Sequence, residues 1–427
     1  MNLLFTLLYE GAYFLRKNKS YVDIQYQDKE KIKALQLKKL THIIDTATRN
    51  VPFYKPYRNE FNFNHIVLDD IKKLPVVDKS IIKKNPELFY NERAIFFDNW
   101  QTSGSTGEPL KFRVPRYLKL IDRMIFLRMM SNRNFHMTAR SSLIMLSSYS
   151  PGEGEPLYKK FGPFKNVWRV SPFHINEKTL EQYVQIIVQS KAEVLSGYPS
   201  SIYLFTLQLM KRGIKIPSIK VIKTASEMLL PAYRDVIMNW WKLPVLDWYG
   251  QAEMTALVIQ CNYGNYHNQD DYGFCEISER GELILTSLNN DVMPFIRYNS
   301  GDFAEPINEQ QGCLSCPCGR QFSIPFKQVL GRSDDLLSKQ DGTRIPVVNF
   351  CTFLSKVSNV DQFKIIQYAD YSIDILIVSP SNFNQHELII AGIRDRIGNL
   401  PIKVVQVDKI PRNPKTMKQK TIETFVQ

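Results

Sequence analysis

Cysteine is scarce and unevenly placed: the 427 residues hold six, and none precedes Cys261. This pattern argues against a disulfide framework. It fits a reducing cytoplasm, with a metal or local structural role for the thiols. Long apolar runs are missing as well. No segment approaches 18 uncharged apolar residues, so no transmembrane span is expected. Acidic residues are outnumbered, 42 against 55 Lys and Arg, which gives a formal charge of +13. A positive field favours anionic ligands: nucleotides, acyl phosphates, coenzyme A or anionic lipid headgroups. The basic residues are spread along the chain. Zinc-finger spacing and the aromatic-plus-basic motif of RNA-binding sheets are absent, so nucleic acid is not an expected partner. No internal repeat or low-complexity tract interrupts the chain. The apolar residues 1–15 contain Glu10 and lack a convincing cleavage site. They read as a helix, and with the positive charge they suggest peripheral contact with a membrane surface.

What remains is an ordinary globular composition, 44% apolar and 23% charged, at a length that suits one large domain and one small one. Ile32, Leu35, Leu37, Leu40 and Ile43 lie near helical spacing, and Val51-Pro52-Phe53-Tyr54 ends that pattern. From about 120 to 330, strand-like and helical runs alternate. Residues 142–146 and 219–223 read as buried strands, and 180–190 and 200–211 as helices. The alternation predicts an α/β fold with helix-covered sheets. After the polar Arg332-Ser333-Asp334-Asp335, strands at 363–368, 373–378 and 402–407 and a helix at 385–397 predict a small α+β domain. The expected division is 1–334 and 335–427.

Four fragments carry chemistry. Thr102-Ser103-Gly104-Ser105-Thr106-Gly107-Glu108-Pro109 offers two flexible glycines, four hydroxyls and turn N–H groups to an anion. No Gly-Lys-Ser/Thr closes it, so it is not a Walker A loop; its plainer reading is a surface turn. Tyr249-Gly250-Gln251-Ala252-Glu253 follows an apolar strand, where open α/β sheets bind ligands. Glu253 offers a hard oxygen to Mg²⁺, or is a helix cap. Arg297-Tyr298-Asn299-Ser300-Gly301-Asp302 and Gly331-Arg332-Ser333-Asp334 pair an Arg fork with a carboxylate that can accept ribose hydroxyls. Either could also be a loop ion pair. Separately, Cys261, His267, Cys316 and Cys318 supply three thiols and an imidazole, the ligand set of a tetrahedral structural Zn²⁺ that would pin two loops. Cys313 is a possible substitute ligand, and buried free thiols are the alternative.

In this order and at these separations, the four fragments resemble the adenylate-forming superfamily. More narrowly they resemble the phenylacetate–CoA ligase-like group, which includes capsule-polysaccharide biosynthesis proteins. Val51-Pro52-Phe53-Tyr54, Leu74-Pro75, Gly197-Tyr198-Pro199-Ser200 and Cys316-Pro317-Cys318-Gly319-Arg320 support the likeness, which runs from about 40 to 420. The resemblance implies the adenylate-forming ligase fold, with a large domain and a small mobile one hinged near Asp335. It implies ATP, Mg²⁺ and coenzyme A as ligands and a carboxylic acid as substrate. Ser103, Gly104, Ser105, Thr106 and Gly107, with Thr102, would bind the β- and γ-phosphates. Ser226 and Glu227 would line the adenine pocket, Tyr249 would pack on adenine, Glu253 would organise Mg²⁺, and Asp302 and Arg332 would hold the ribose. The implied reaction is formation of an acyl-AMP, then transfer to coenzyme A or to an amine or hydroxyl of a sugar-linked acceptor. Family members carry a Gly-Lys near the C-terminus. The matching stretch here, Ile410 onward, has no glycine before Lys415, Lys418 or Lys420. Lys418 is the expected catalytic lysine and Lys415 its runner-up. The departure also motivates an alternative: a degenerate member that binds nucleotide as a binding or scaffold protein.

Overall fold

The computed structural model describes residues 23–102, 109–131, 135, 141–146, 149, 151–161, 166–307, 316–332, 336–346, 350, 353–354, 357–411 and 420–426. The fold is α/β. The chain forms two compact units. Unit 1 comprises Met1–Ser141, Phe161–Asn166 and Leu246–Gln328, and unit 2 comprises Ser142–Lys160, Val167–Val245 and Val329–Gln427. Unit 2 thus takes chain from both sides of residue 335. Among the described residues, no helix is long and apolar enough to cross a membrane.

Unit 1 opens with the helix Lys29–Asn50, whose buried positions Ile32, Gln36, Leu40, Ile43, Ile44 and Ala47 recur every three or four residues on one face. Pro52 ends it by driving Val51 into extended backbone, φ −111° and ψ 115°. Phe97–Gln101 and Lys111–Pro115 pair antiparallel. Val245–Gly250 pairs antiparallel with Leu257–Gln260, which pairs antiparallel with Tyr266–Asn268. Gly273–Ile277, Glu282–Ser287 and Tyr298–Pro306 form a second antiparallel set.

Unit 2 holds four parallel strands in the order Val221–Ala225, Val194–Gly197, Leu143–Leu146, Val167–Val170. The helices Leu180–Ser190, Pro199–Arg212 and Pro231–Trp241 connect or follow them. The last two helices start on proline, whose missing N–H costs nothing in the first turn. Gly213 closes Pro199–Arg212 in the left-handed region, at φ 65°. A second sheet runs Ile402–Gln406, Ile373–Val378, Gln362–Gln367, Ile422–Thr424. The helix His386–Ile397 packs its Ile389 and Ile393 into the same apolar cluster. Leu195, Phe205, Ile222, Ile365 and Ile375 are fully buried there, each worth roughly 1.5–3 kcal/mol over the exposed state. The strands and helices expected in these stretches form within a few residues of their sequence-based limits. The short strand Ile422–Thr424, paired parallel to Gln362–Gln367, was not foreseen.

Candidate active site

In unit 1 the strand Val245–Gly250 delivers Tyr249 and then turns. A Cβ on Gly250 would lie 2.6 Å from Leu257 Cδ2, so only glycine fits without a shift there. Gln251 Oε1 accepts the Thr255 hydroxyl at 2.6 Å and fixes the turn. Met254 adopts φ +56°, an uncommon left-handed conformation for a residue with a side chain. Glu253 is thereby buried, at 8% exposure.

The Arg297–Asp302 motif meets this turn twice. The Tyr249 hydroxyl donates to Asp302 Oδ2 at 2.8 Å, and the Tyr298 hydroxyl donates to Glu253 Oε1 at 2.9 Å. Each motif therefore gives a tyrosine to the other's carboxylate. Burial, and then the Asp302 charge, push the Tyr249 hydroxyl well above its usual range, so it stays a donor at neutral pH. The strand is held from behind, since Val77 N–H donates to Arg297 O and Asn299 N–H to Val77 O. Arg297 sits at φ +48° with its guanidinium on Glu276 at 3.2 Å and on Leu74 O at 2.9 Å. Of the two roles open to it in sequence, it takes the ion pair.

Thr102 is buried. Its N–H donates to Leu110 O and its hydroxyl accepts Leu110 N–H, both at 3.0 Å, which clamps the hairpin shut. Ser103, Gly104, Ser105, Thr106 and Gly107 lie outside the described residues, as do Cys313, Asp334, Asp335, Lys415 and Lys418.

In unit 2, Ser226 follows the strand Val221–Ala225 at φ +72°, and Glu227 comes next. Glu227 Oε2 accepts Ser200 N–H at 3.3 Å, at the start of Pro199–Arg212, where a carboxylate complements the helix dipole. Arg332 ends the strand Phe326–Arg332 and is exposed.

The metal-ligand set does come together. The candidate atoms of Cys261, His267, Cys316 and Cys318 all lie within 4.8 Å of one another. Two similar turns build it. Gly264 N–H donates to Cys261 O, Gly319 N–H to Cys316 O, and both glycines have positive φ, 85° and 78°. Cys261 Sγ and Cys316 Sγ are 3.7 Å apart, and Cys318 Sγ and His267 Nε2 are 3.4 Å apart. Tetrahedral Zn²⁺ with Zn–S bonds of about 2.3 Å needs S···S edges of about 3.8 Å, so the donors fit that ion. His267 Nδ1 lies 3.1 Å from Phe322 O. A carbonyl only accepts, so Nδ1 carries the proton and Nε2 keeps its lone pair for a metal. A hydrogen bond from Cys318 outweighs desolvation and holds the Cys261 thiol well below its usual range. Phe326, fully buried, links this knot to the nucleotide-type motifs. Its ring lies 5.6 Å from Tyr266 and 5.9 Å, edge to face, from Tyr249.

Sequence reading missed Tyr298 and Phe326 as members of this constellation. A tyrosine after an arginine carries no signal of which carboxylate it will meet 45 residues away.

No protein-family model matches the chain. The chain is 22% identical to the protein CapK of Staphylococcus aureus over 399 residues, covering 89% of this chain and 86% of that one. It is 23% identical to the phenylacetate-coenzyme A ligase of Thermus thermophilus over 337 residues, covering 74% and 73%. Among solved structures, 2-hydroxyisobutyryl-CoA ligase in the postadenylation state, in complex with R3-HIB-AMP, superposes with a TM-score of 0.72 at 16% identity, over 94% of this chain and 91% of that one. The structural likeness shows a shared fold. The sequence relatives include a phenylacetate-coenzyme A ligase, which matches the group that the motif order resembles.

Proposed function

We propose that this protein uses ATP to convert a carboxylic acid into an acyl-AMP and then passes the acyl group to a thiol, with coenzyme A as the default acceptor. The observation that carries this reading is the reciprocal pair of tyrosine–carboxylate bonds, Tyr249 to Asp302 and Tyr298 to Glu253, which joins two nucleotide-type motifs. The similarity to a phenylacetate-coenzyme A ligase over 74% of the chain supports it.

In this reading the Tyr249 ring packs on adenine, Asp302 accepts the ribose hydroxyls and Arg332 assists. Ser226 and Glu227 line the adenine pocket, and Thr102 with Ser103–Gly107 cradles the phosphates. Glu253 would hold Mg²⁺, which neutralises phosphate charge as the reaction proceeds. The substrate carboxylate attacks the α-phosphorus, pyrophosphate leaves, and a mixed anhydride remains. The acceptor then attacks the acyl carbonyl and AMP departs. Lys418 is the cation assigned to the first step, delivered by a small domain from residue 335 that turns about a hinge near Asp335. The side chain of Gln367 supports a boundary there, because its amide bonds both the N–H and the C=O of Ser338 at 2.8 Å and so ties the strand Leu336–Ser338 to the small sheet. Zn²⁺ on Cys261, His267, Cys316 and Cys318 would be structural, since four protein ligands leave no open position. The thiol-rich set suits a reducing cytoplasm. An amine or hydroxyl on a sugar-linked acceptor is the second candidate for the transfer step.

Incubation with ATP, Mg²⁺ and a panel of carboxylic acids, followed by mass spectrometry, tests the reading. A trapped acyl-AMP is the expected result. One observation favours a second reading, a nucleotide-binding member that does not adenylate: no glycine precedes Lys415, Lys418 or Lys420. ATP binding with no acyl-AMP from any acid would favour that reading.

A further inference from the structure

We infer that Tyr298 is a positioning residue for the metal-binding carboxylate: its hydroxyl sets the rotamer of Glu253 before any metal arrives. The inference rests on the proposed role of Glu253 toward Mg²⁺.

The geometry is specific. Tyr298 is 2% exposed and Glu253 is 8% exposed, so water offers little competition for the 2.9 Å bond between them. The tyrosine cannot easily move. Its ring meets Phe295 edge to face at 5.2 Å, and its neighbours Arg297 and Asn299 are both bonded to the Val77 backbone. Behind it, Arg297 is locked to Glu276 and Leu74 O. At the other end, Glu253 projects from a turn fixed by Gln251 and by the left-handed Met254.

A free glutamate has three side-chain torsions to settle, and ordering them costs conformational entropy. Mg²⁺ demands near-ideal octahedral geometry and dehydrates reluctantly. A carboxylate that already points the right way therefore binds it more tightly than a mobile one, because the ordering cost was met on folding. The bond from Tyr298 engages Oε1 and fixes the carboxylate plane. Tyr249 has the matching relation to Asp302, so the two motifs pre-order each other's acids.

The test measures metal affinity rather than turnover. Mn²⁺, as a spectroscopic substitute for Mg²⁺, is titrated by electron paramagnetic resonance into the full-length protein saturated with ATP. Mg²⁺ competition then gives the Mg²⁺ constant. Tyr298→Phe deletes one hydroxyl and keeps the ring. It is expected to weaken the metal constant about tenfold, as loss of a hydrogen bond to a charged group does, with ATP affinity at saturating metal unchanged. Tyr203→Phe, which removes a similar hydroxyl contact to Asp361 O at 3.0 Å in unit 2, should leave the metal constant as in wild type. Glu253→Gln separates the two claims. If Glu253→Gln weakens metal binding and Tyr298→Phe does not, the positioning role is overturned and the glutamate's role stands. If Glu253→Gln itself has no effect, the reading of the glutamate fails and takes the positioning role with it. A Tyr298→Phe protein with a lowered melting temperature and a wild-type metal constant would make the hydroxyl merely structural and would also overturn the inference.

Discussion

The two units bury different chemistry. Among the described residues, unit 1 buries Arg128, Glu253, His267, Asp270, Asp271 and Arg320, whereas unit 2 buries one formally charged side chain, Lys364, paired with Glu423 at 2.6 Å. Unit 2 is organised instead around a continuous cluster of Ile, Leu, Val and aromatic side chains. Apolar packing tolerates exchange of one shape for a similar one. A buried polar network has few alternatives, because each orphaned group costs its full desolvation. The contrast teaches where geometry is specified atom by atom. In unit 1, Arg128 grips Asp271 through both guanidinium nitrogens at 2.9–3.2 Å. Asp270 accepts Ser323 N–H and hydroxyl, and Lys39 donates to Asp271 O. The metal-ligand set and the tyrosine–carboxylate pairs lie in the same unit.

The largest expected effect breaks this contrast directly. Asp271→Ala removes the buried carboxylate that Arg128 grips and should cost about 3–5 kcal/mol in a urea titration. Replacing both with apolar residues, Arg128→Met with Asp271→Leu, should recover most of the loss. A cost below about 1 kcal/mol for Asp271→Ala would erase the distinction between the units. Metal removal comes next. Cys316→Ser, or chelation of the wild type, should lower the melting temperature because metal-binding free energy is coupled to folding, and added Zn²⁺ should restore only the wild type. In the apolar unit, Ile375→Val removes one buried methylene and should cost about 0.5–1.5 kcal/mol, independent of salt.

The smallest effect concerns a half-exposed acid. Desolvation raises the Asp45 carboxyl, but hydrogen bonds from Arg49 and Arg58 outweigh it and bring it below its ordinary 3.8. A depressed acid stabilises above its unfolded value, and that stability is lost as pH falls through the folded value. Asp45→Asn should therefore cost about 0.5 kcal/mol at neutral pH, given solvent screening, and nothing well below pH 4. Stability curves of the two proteins that stay parallel through that window would remove the assignment.

Much of the fold was legible because periodicity is local. The helix Lys29–Asn50 declares its buried stripe, and Ile373–Val378 and Ile402–Gln406 read as strands. The strand Ile422–Thr424 was not legible, since three residues carry no period. The metal-ligand set could be read because thiols are few and two Gly-closed turns present them. Arg297 was ambiguous because an arginine beside an aspartate fits a ligand and an ion pair equally well. Only the fold supplies Glu276 and the Leu74 carbonyl as its partners. Tyr298 was silent for the same reason: its partner is fixed by a strand register and a turn, neither of which is written at one position.

The joined motifs of unit 1 are proposed to serve adenylation. ATP–pyrophosphate exchange tests this most directly, because it reads the first half-reaction without knowledge of the acceptor. Wild-type protein should exchange label with at least one acid of a broad panel, and Glu253→Gln, nearly unchanged in volume, should lose at least a hundredfold of that rate while staying folded, on the order of the loss when one group that stabilises transition-state charge is removed. Exchange that persists undiminished in Glu253→Gln at saturating Mg²⁺-ATP, or no exchange with any acid by a wild-type protein that binds ATP, would contradict the account.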